Sequence, residues 1–233
     1  MAVAALALVM AGCSSTATTI SDSSSCQPLP NGNGPFVYVA IGASDAVGFG
    51  ADCEVTHGYV PLLGQKMPHG AKVVNLGIAG ATVNVALQDE LPAALAAKPN
   101  LITVWLAAND FRAMENGTLT LAQYGKQLDK MLAGLHTLPN THVFVANLPD
   151  LTKLPYFIHG TVPLATVAQQ AQEWNDIIDN EIAKYGDVLV DLYRSDLADH
   201  PEFIFADGFH PSTLGYRALA NIFWNTIASH GGA

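Results

Sequence analysis

The sequence predicts one α/β domain of three layers, with helices covering both faces of a five-stranded parallel sheet. Three observations carry that reading. From Pro35 onward, short β-branched runs alternate with longer helical patterns, the rhythm of βαβ units. Each strand candidate is an almost continuous apolar run, as a parallel strand must be when helices cover both of its faces. No internal repeat or second composition regime divides the chain of 233 residues, so a single domain spans residues 35–233.

The elements follow in order. Phe36 to Ile41 opens the sheet, and Tyr59 to Lys66 is the first helix. Lys72 to Leu76 is followed by the helix Val83 to Ala97, and Leu101 to Leu106 by Leu121 to Thr137. His142 to Ala146 leads to Leu164 to Tyr185, and Val188 to Leu192 to the closing helix Thr213 to Ser229. In Leu164 to Tyr185, Val167, Ala171, Trp174, Ile178 and Ile182 recur at spacings of three and four, which puts them on one buried stripe. Gln170, Glu173, Asp176 and Glu181 belong to the wet side. In a doubly wound sheet, ligands bind outside the carboxyl ends of the strands, so the segments that follow each strand are the candidates for chemistry.

Composition removes several functional classes. Half of the residues are hydrophobic, which excludes intrinsic disorder. Ten basic residues against twenty acidic ones give a formal charge of −10 and no basic patch, which excludes nucleic acid as a partner. That charge fits an uncharged substrate better than an anionic one. Three cysteines are too few for a disulfide-stapled mini-protein. Metal ligation is not expected, because no His-x-x-x-His or Cys-x-x-Cys spacing accompanies His57 or His210.

Met1 to Ala11 is an uncharged apolar run, too short to span a bilayer but long enough for a signal-peptide core. Met10-Ala11-Gly12-Cys13 resembles the bacterial lipoprotein signal, which implies cleavage after residue 12 and acylation of Cys13; an ordinary cleaved secretory signal is the alternative. Residues 13–34 then read as the lipidated cysteine and a flexible tether, with Ser14 to Ser25 too poor in apolar residues to pack. The expected location is exported: anchored by lipid to the cell membrane or outer membrane, or periplasmic or extracellular. With Cys13 acylated, Cys26 and Cys53 remain as an even pair in an oxidising compartment, and a disulfide is the simplest account of both. The alternative is two unpaired small hydrophobes.

Four strand-end segments carry the functional reading. The first strand ends in Gly42-Ala43-Ser44-Asp45, the second in Asn75-Leu76-Gly77-Ile78-Ala79-Gly80, and the third in Ala107-Ala108-Asn109-Asp110; Asp207-Gly208-Phe209-His210-Pro211 follows the last. Any one of these is weak evidence, but together and in this order they resemble the blocks of the SGNH hydrolases, the GDSL esterase/lipase family. The resemblance runs from Phe36 to the last helix and implies a flavodoxin-like sheet. It implies hydrolysis of carboxylic esters by Ser44 as nucleophile, His210 as base and Asp207 as its orienting carboxylate. An oxyanion hole would come from the N–H of Ser44, the N–H of Gly80 and the side-chain amide of Asn109, with no cofactor. Ala107 stands where the family's third block usually has glycine.

The chemistry suits these residue types. A serine hydroxyl attacks a carbonyl only when a base takes its proton, and a carboxylate three residues before His210 can fix the imidazole tautomer. The bland readings are Ser44 as a helix N-cap and Asn109-Asp110 as an Asx turn. Asp45 and Asp110 are expected to organise turns. Leu151 to Pro163, with Leu154, Tyr156, Phe157 and Ile158, is expected to wall the acyl pocket or form a lid, together with Phe49, Phe111 and Met114. The expected substrate is a small or lipid-like ester of short to medium acyl length, acted on by a monomer held at the membrane only through its lipid. The alternatives are an acetyl esterase acting on wall or extracellular polysaccharide, and a non-catalytic surface binding lipoprotein. Trp105, Trp174 and Trp224 fall in core-like patterns and offer no sugar platform.

Overall fold

The computed structural model describes residues 26–232. Cys13, the signal segment 1–12 and the serine-rich stretch through residue 25 lie outside the described residues. The strands β1 (Val37–Gly42), β2 (Lys72–Asn75), β3 (Leu101–Trp105), β4 (His142–Ala146) and β5 (Val188–Val190) pair in parallel in the order β2-β1-β3-β4-β5. The helices are α1 (Ser44–Val47), α2 (Glu54–His57), α3 (Tyr59–Gly64), α4 (Val83–Ala97), α5 (Ala108–Glu115), α6 (Leu121–Leu135), α7 (Pro155–Ile158), α8 (Leu164–Tyr185) and α9 (Thr213–Ser229). The three-layer α/β expectation therefore holds. β4, α4, α8 and α9 have the boundaries read from the sequence.

Alternate residues of the sheet feed two cores. Val39, Ile41, Ile102 and Val104 pack under α4, α6 and α8 with Leu128, Trp174 and Ile178. Tyr38, Ala40, Leu101 and Phe144 pack on the opposite face under α3 and α9 with Tyr59, Leu63 and Phe223. This period-two division explains why every central strand reads as continuously apolar.

Three strands are shorter than the apolar runs that predict them, because the chain leaves the ladder at the carboxyl ends. At β5 the cause is visible: the side-chain carbonyl of Asn147 accepts the N–H groups of Leu192 and Tyr193 at 2.7 and 3.1 Å, taking the place of a neighbouring strand. The short helices α1, α2 and α7 are about one turn each and α5 little more than two, too short for a helical period to stand out in the sequence.

β2 is an edge strand, and edges invite pairing with other chains. The N-terminal arm covers it. Asn31 donates from Nδ2 to the carbonyl of Val73 and accepts the Val73 N–H on Oδ1, both at 2.8 Å, so one amide side chain imitates a paired residue. Gly34 N–H reaches the carbonyl of Gly70 at 2.8 Å, and Cys26 is disulfide-bonded to Cys53. The chain is thus docked from Cys26 onward, within the stretch that composition assigns to a tether.

Two acids are buried in the first core's layer. Glu90 lies on the stripe Val83, Ala86, Glu90, Ala94 of α4, fully buried; its Oε2 accepts the N–H of Gly42 at 2.8 Å and its Oε1 has no partner. Asp110, also fully buried, accepts the N–H of Val83 on both oxygens at 3.1 Å, which fastens α5 to the N-terminus of α4. Burial pushes each carboxyl up to about 7, against the smaller opposing pull of those backbone hydrogen bonds.

Two predictions come from this frame. Closing the 27-residue separation between Cys26 and Cys53 stabilises the fold by roughly 3.5 kcal/mol on the loop-entropy account. Denaturant unfolding with and without reductant measures this, and unchanged stability on reduction contradicts it. For Glu90 and Asp110 the folded pKa exceeds the unfolded one, so the folded state binds more protons between the two values. Their contribution is complete below about pH 4 and is lost as pH rises through 7. The melting temperature is expected to be higher at pH 5.5 than at pH 8 by several degrees, and Glu90→Gln should narrow that difference.

Candidate active site

In the strand order 2-1-3-4-5 the direction of winding reverses between β1 and β3, which opens a crevice at their carboxyl ends. Ser44 stands at one lip and Asn109 at the other. β1 ends at Gly42, and α1 starts two residues later, so Ser44 occupies the first turn of a four-residue helix. Its N–H has no intrahelical partner, as at the start of any helix. Asn75 Nδ2 donates to the carbonyl of Ala46 at 2.6 Å, which ties the end of β2 to α1. Behind the turn, Glu90 holds Gly42.

His210 arrives on a loop after β5 that is clamped from both sides. Phe205 N–H donates to the carbonyl of His210 at 2.7 Å, Ser212 N–H to that of Phe203 at 2.8 Å, and Ile204 and Pro211 form an isolated antiparallel bridge. Inside the loop, Asp207 Oδ1 accepts the N–H of Phe209 at 2.9 Å and of His210 at 3.0 Å. Its Oδ2 lies 2.6 Å from His210 Nδ1, and His210 Nε2 lies 2.8 Å from Ser44 Oγ. With Nδ1–H donated to the carboxylate, Nε2 is left to accept the serine hydroxyl. Burial pushes the Asp207 carboxyl up, but the hydrogen bonds from His210 and the two backbone N–H groups outweigh it and leave it below the ordinary aspartate value. Gly208, at φ +76°, lets the loop pass the wall segment: a Cβ there would meet Pro155 at 2.9 Å, and its carbonyl accepts the N–H of Tyr156 at 3.0 Å.

Across the crevice, Asn109 sits in the first turn of α5. Its Nδ2 donates one hydrogen to the carbonyl of Ala81 at 3.0 Å and keeps a second free for another acceptor. Gly80, exposed and at φ +80°, lies in the same turn that Asp110 fastens through Val83. Ala107 takes φ −156° and ψ −40°, and its φ is negative, so the left-handed backbone that favours glycine is not required there.

Asp45 is only 8% exposed and lies close enough to His210 for the two to attract each other. Burial pushes its carboxyl up to about 6, partly offset by the attraction of His210. His57 lies apart on α2 and ends that helix. Among the described residues no cluster of three or more His, Cys, Asp or Glu is arranged to hold a metal.

The aromatic rim differs from the sequence expectation. Phe49 is exposed and its ring lies 4.7 Å from that of His210, whereas Phe111 is fully buried against Trp174 and Phe157. Within the expected wall, Leu151, Leu154 and Phe157 are core, and of its large apolar side chains only Tyr156 and Ile158 are exposed. An apolar cavity of about 30 Å³ lies beside the His210 loop, between Asp45, Trp105, Leu154 and Phe209. A larger groove of about 640 Å³ runs between the N-terminal arm, α3 and β2, and is lined by none of Ser44, Gly80, Asn109 or His210.

This arrangement can move a proton from a hydroxyl to an imidazole while an amide hydrogen of Asn109 stays free for an acceptor, which is the equipment of acyl transfer. Comparison with known proteins agrees. No curated protein sequence matches the chain. Solved structures share the fold at low identity. A lipase/acylhydrolase from Enterococcus faecalis is 23% identical, with a TM-score of 0.67 over 84% of this chain and 96% of that one. TesA is 22% identical, with a TM-score of 0.66 over 83% and 98%. An acetylxylan esterase from Geobacillus stearothermophilus is 18% identical, with a TM-score of 0.65 over 85% and 95%. The model of the GDSL-like lipase/acylhydrolase family matches residues 40–218. Because that match reaches all five strands and all four strand-end segments, the chain belongs to the GDSL-like lipase/acylhydrolase family and is a carboxylic ester hydrolase.

Proposed function

We propose that the protein hydrolyses carboxylic esters of short to medium acyl length through Ser44, His210 and Asp207. The observation that carries this reading is the unbroken hydrogen-bonded series from Ser44 Oγ through His210 to Asp207, at 2.8 and 2.6 Å. As Ser44 Oγ bonds to the carbonyl carbon, its proton passes to His210 Nε2, and Asp207 stabilises the imidazolium. The N–H groups of Ser44 and Gly80 and the free amide hydrogen of Asn109 receive the oxyanion. Collapse breaks the ester C–O bond, His210 gives its proton to the leaving alcohol, and water, deprotonated by the same imidazole, releases the acid from Ser44. Phe49, Tyr156, Ile158 and Phe205 supply exposed apolar surface for the acyl chain.

Two exposed aromatic rings, Phe49 and Tyr156, together with likeness to an acetylxylan esterase, favour a second reading, deacetylation of a polysaccharide. We further propose export, with residues 1–12 removed, Cys13 acylated, a tether leading into the docked arm, and a monomer at the membrane. The disulfide supports an oxidising compartment.

A fluorophosphonate probe is expected to label the wild type and not Ser44→Ala, and His210→Ala should lose nearly as much turnover as Ser44→Ala because the two act as a unit. Absence of labelling on folded protein would point to the non-catalytic binder. Asn109→Ala is expected to lower kcat about 100-fold to 1,000-fold. A series of p-nitrophenyl esters measured beside acetylated xylan separates the two substrate readings, and failure on every acyl length up to about ten carbons rules out the first.

A further inference from the structure

Arg112 lies one helical turn beyond Asn109 on α5, so the two side chains share a face. Its guanidinium carbon is 5.1 Å from the centroid of the Tyr156 ring and 5.6 Å from that of Phe209. The Phe209 ring in turn lies 5.0 Å from the His210 imidazole, so one aromatic ring separates the guanidinium from the proposed base. Lys153, Lys184 and Arg194 all pair with carboxylates. Arg112 does not, and its Nε is the one guanidinium or ammonium nitrogen among the described residues that is buried without a hydrogen-bond partner. Glu115, one turn further along, is near enough to feel the attraction of the arginine but forms no ion pair with it, and burial holds its carboxyl above the ordinary glutamate value.

A guanidinium stripped of part of its water and given no direct ion pair is costly, and two aromatic faces compensate only in part. Those faces also hold the fork in one orientation beside the crevice, with its terminal N–H groups unpaired. A planar fork pinned this way matches the two oxygens of a carboxylate or a phosphate. We propose that Arg112 is a specificity residue that receives an anionic group carried by the substrate, a carboxylate or phosphate set apart from the scissile ester. This rests on the reading of Ser44 and His210 as the reacting groups. The overall charge of −10 disfavours polyanions at long range, but ionic strength screens it, and at contact distance the nearest unneutralised charge decides. The anion could belong to the acyl part or to the leaving alcohol.

Two matched pairs distinguish these sources. Mono-p-nitrophenyl glutarate against p-nitrophenyl pentanoate tests the acyl side. 3-Acetoxypropyl phosphate against 3-acetoxypropanol, followed by acetate release, tests the alcohol side. In one pair the wild type should favour the anionic member, and Arg112→Gln should reduce kcat/KM for that member about 10-fold to 100-fold more than for its neutral partner. Arg112→Lys, which keeps the charge and loses the fork, should retain part of the preference. Added salt should erode it. If Arg112 only braces Tyr156 against Phe209, the variants reduce both members of each pair equally, and that result overturns the proposal, as does a wild type with no anionic preference in either pair. Calorimetric binding of the same esters to Ser44→Ala separates this proposal from the catalytic reading. Anion preference there with no fluorophosphonate labelling of the wild type removes the catalytic reading and leaves the subsite; labelling of Ser44 without anion preference removes the subsite alone.

Discussion

The hydrogen bond between Ser44 and His210 joins residues 166 positions apart, and the rest of the architecture can be understood as what holds the two ends within 2.8 Å. A contact between a hydroxyl and an imidazole contributes about 1 kcal/mol by itself, far too little to order two loops. The order must therefore come from elsewhere. On the Ser44 side it comes from β1, which is buried from Tyr38 to Gly42, and from a four-residue helix pinned by Asn75. On the His210 side it comes from the backbone clamp around Phe203 to Ser212, with α9 starting immediately beyond under a Ser212 cap.

Carboxyls recur wherever a strand-end segment must be held, buried at Glu90 and Asp110 and exposed at Asp207. Glu90 holds the N–H before the Ser44 turn, Asp110 holds the start of α4 below Gly80, and Asp207 holds its own loop as well as the imidazole. They differ in what they receive. Asp207 collects three donors and stays an anion, whereas Glu90 and Asp110 each collect a single backbone N–H in apolar surroundings and carry raised pKa values. The same residue type thus serves as a charge in one setting and as a hydrogen-bond acceptor near neutrality in the others. Asp45, buried and within reach of His210's charge, adds a second carboxyl to the imidazole's surroundings.

Much of this was legible in the chain. Strand runs and long helices follow from periodicity, and the four strand-end segments announce themselves by position. Glu90 could also have been read: an acid on the stripe Val83, Ala86, Glu90, Ala94, spaced by three and four, stands at a core position and needs a buried donor. Other features had no such signal. Asn31 pairs with an edge strand 42 residues away, and Arg112 gains meaning only from Tyr156 and Phe209, which come from two other segments. Phe111 misled in the opposite sense: its place beside Asn109 suggested a pocket wall, yet on a helix a neighbour in sequence points to a different face, and it is core.

The sequence by itself determined the layers and most strand and helix assignments and pointed to the side chains proposed to react, because burial on two faces of a strand or one face of a helix imposes a period that composition must obey. Tertiary structure alone decided which of those side chains meet and which aromatic rings face the crevice. It also decided that one arginine stands there without a direct ion pair. Contacts between residues far apart in the chain leave no period to read; they are set by how the sheet is wound and by a few backbone hydrogen bonds at its carboxyl ends.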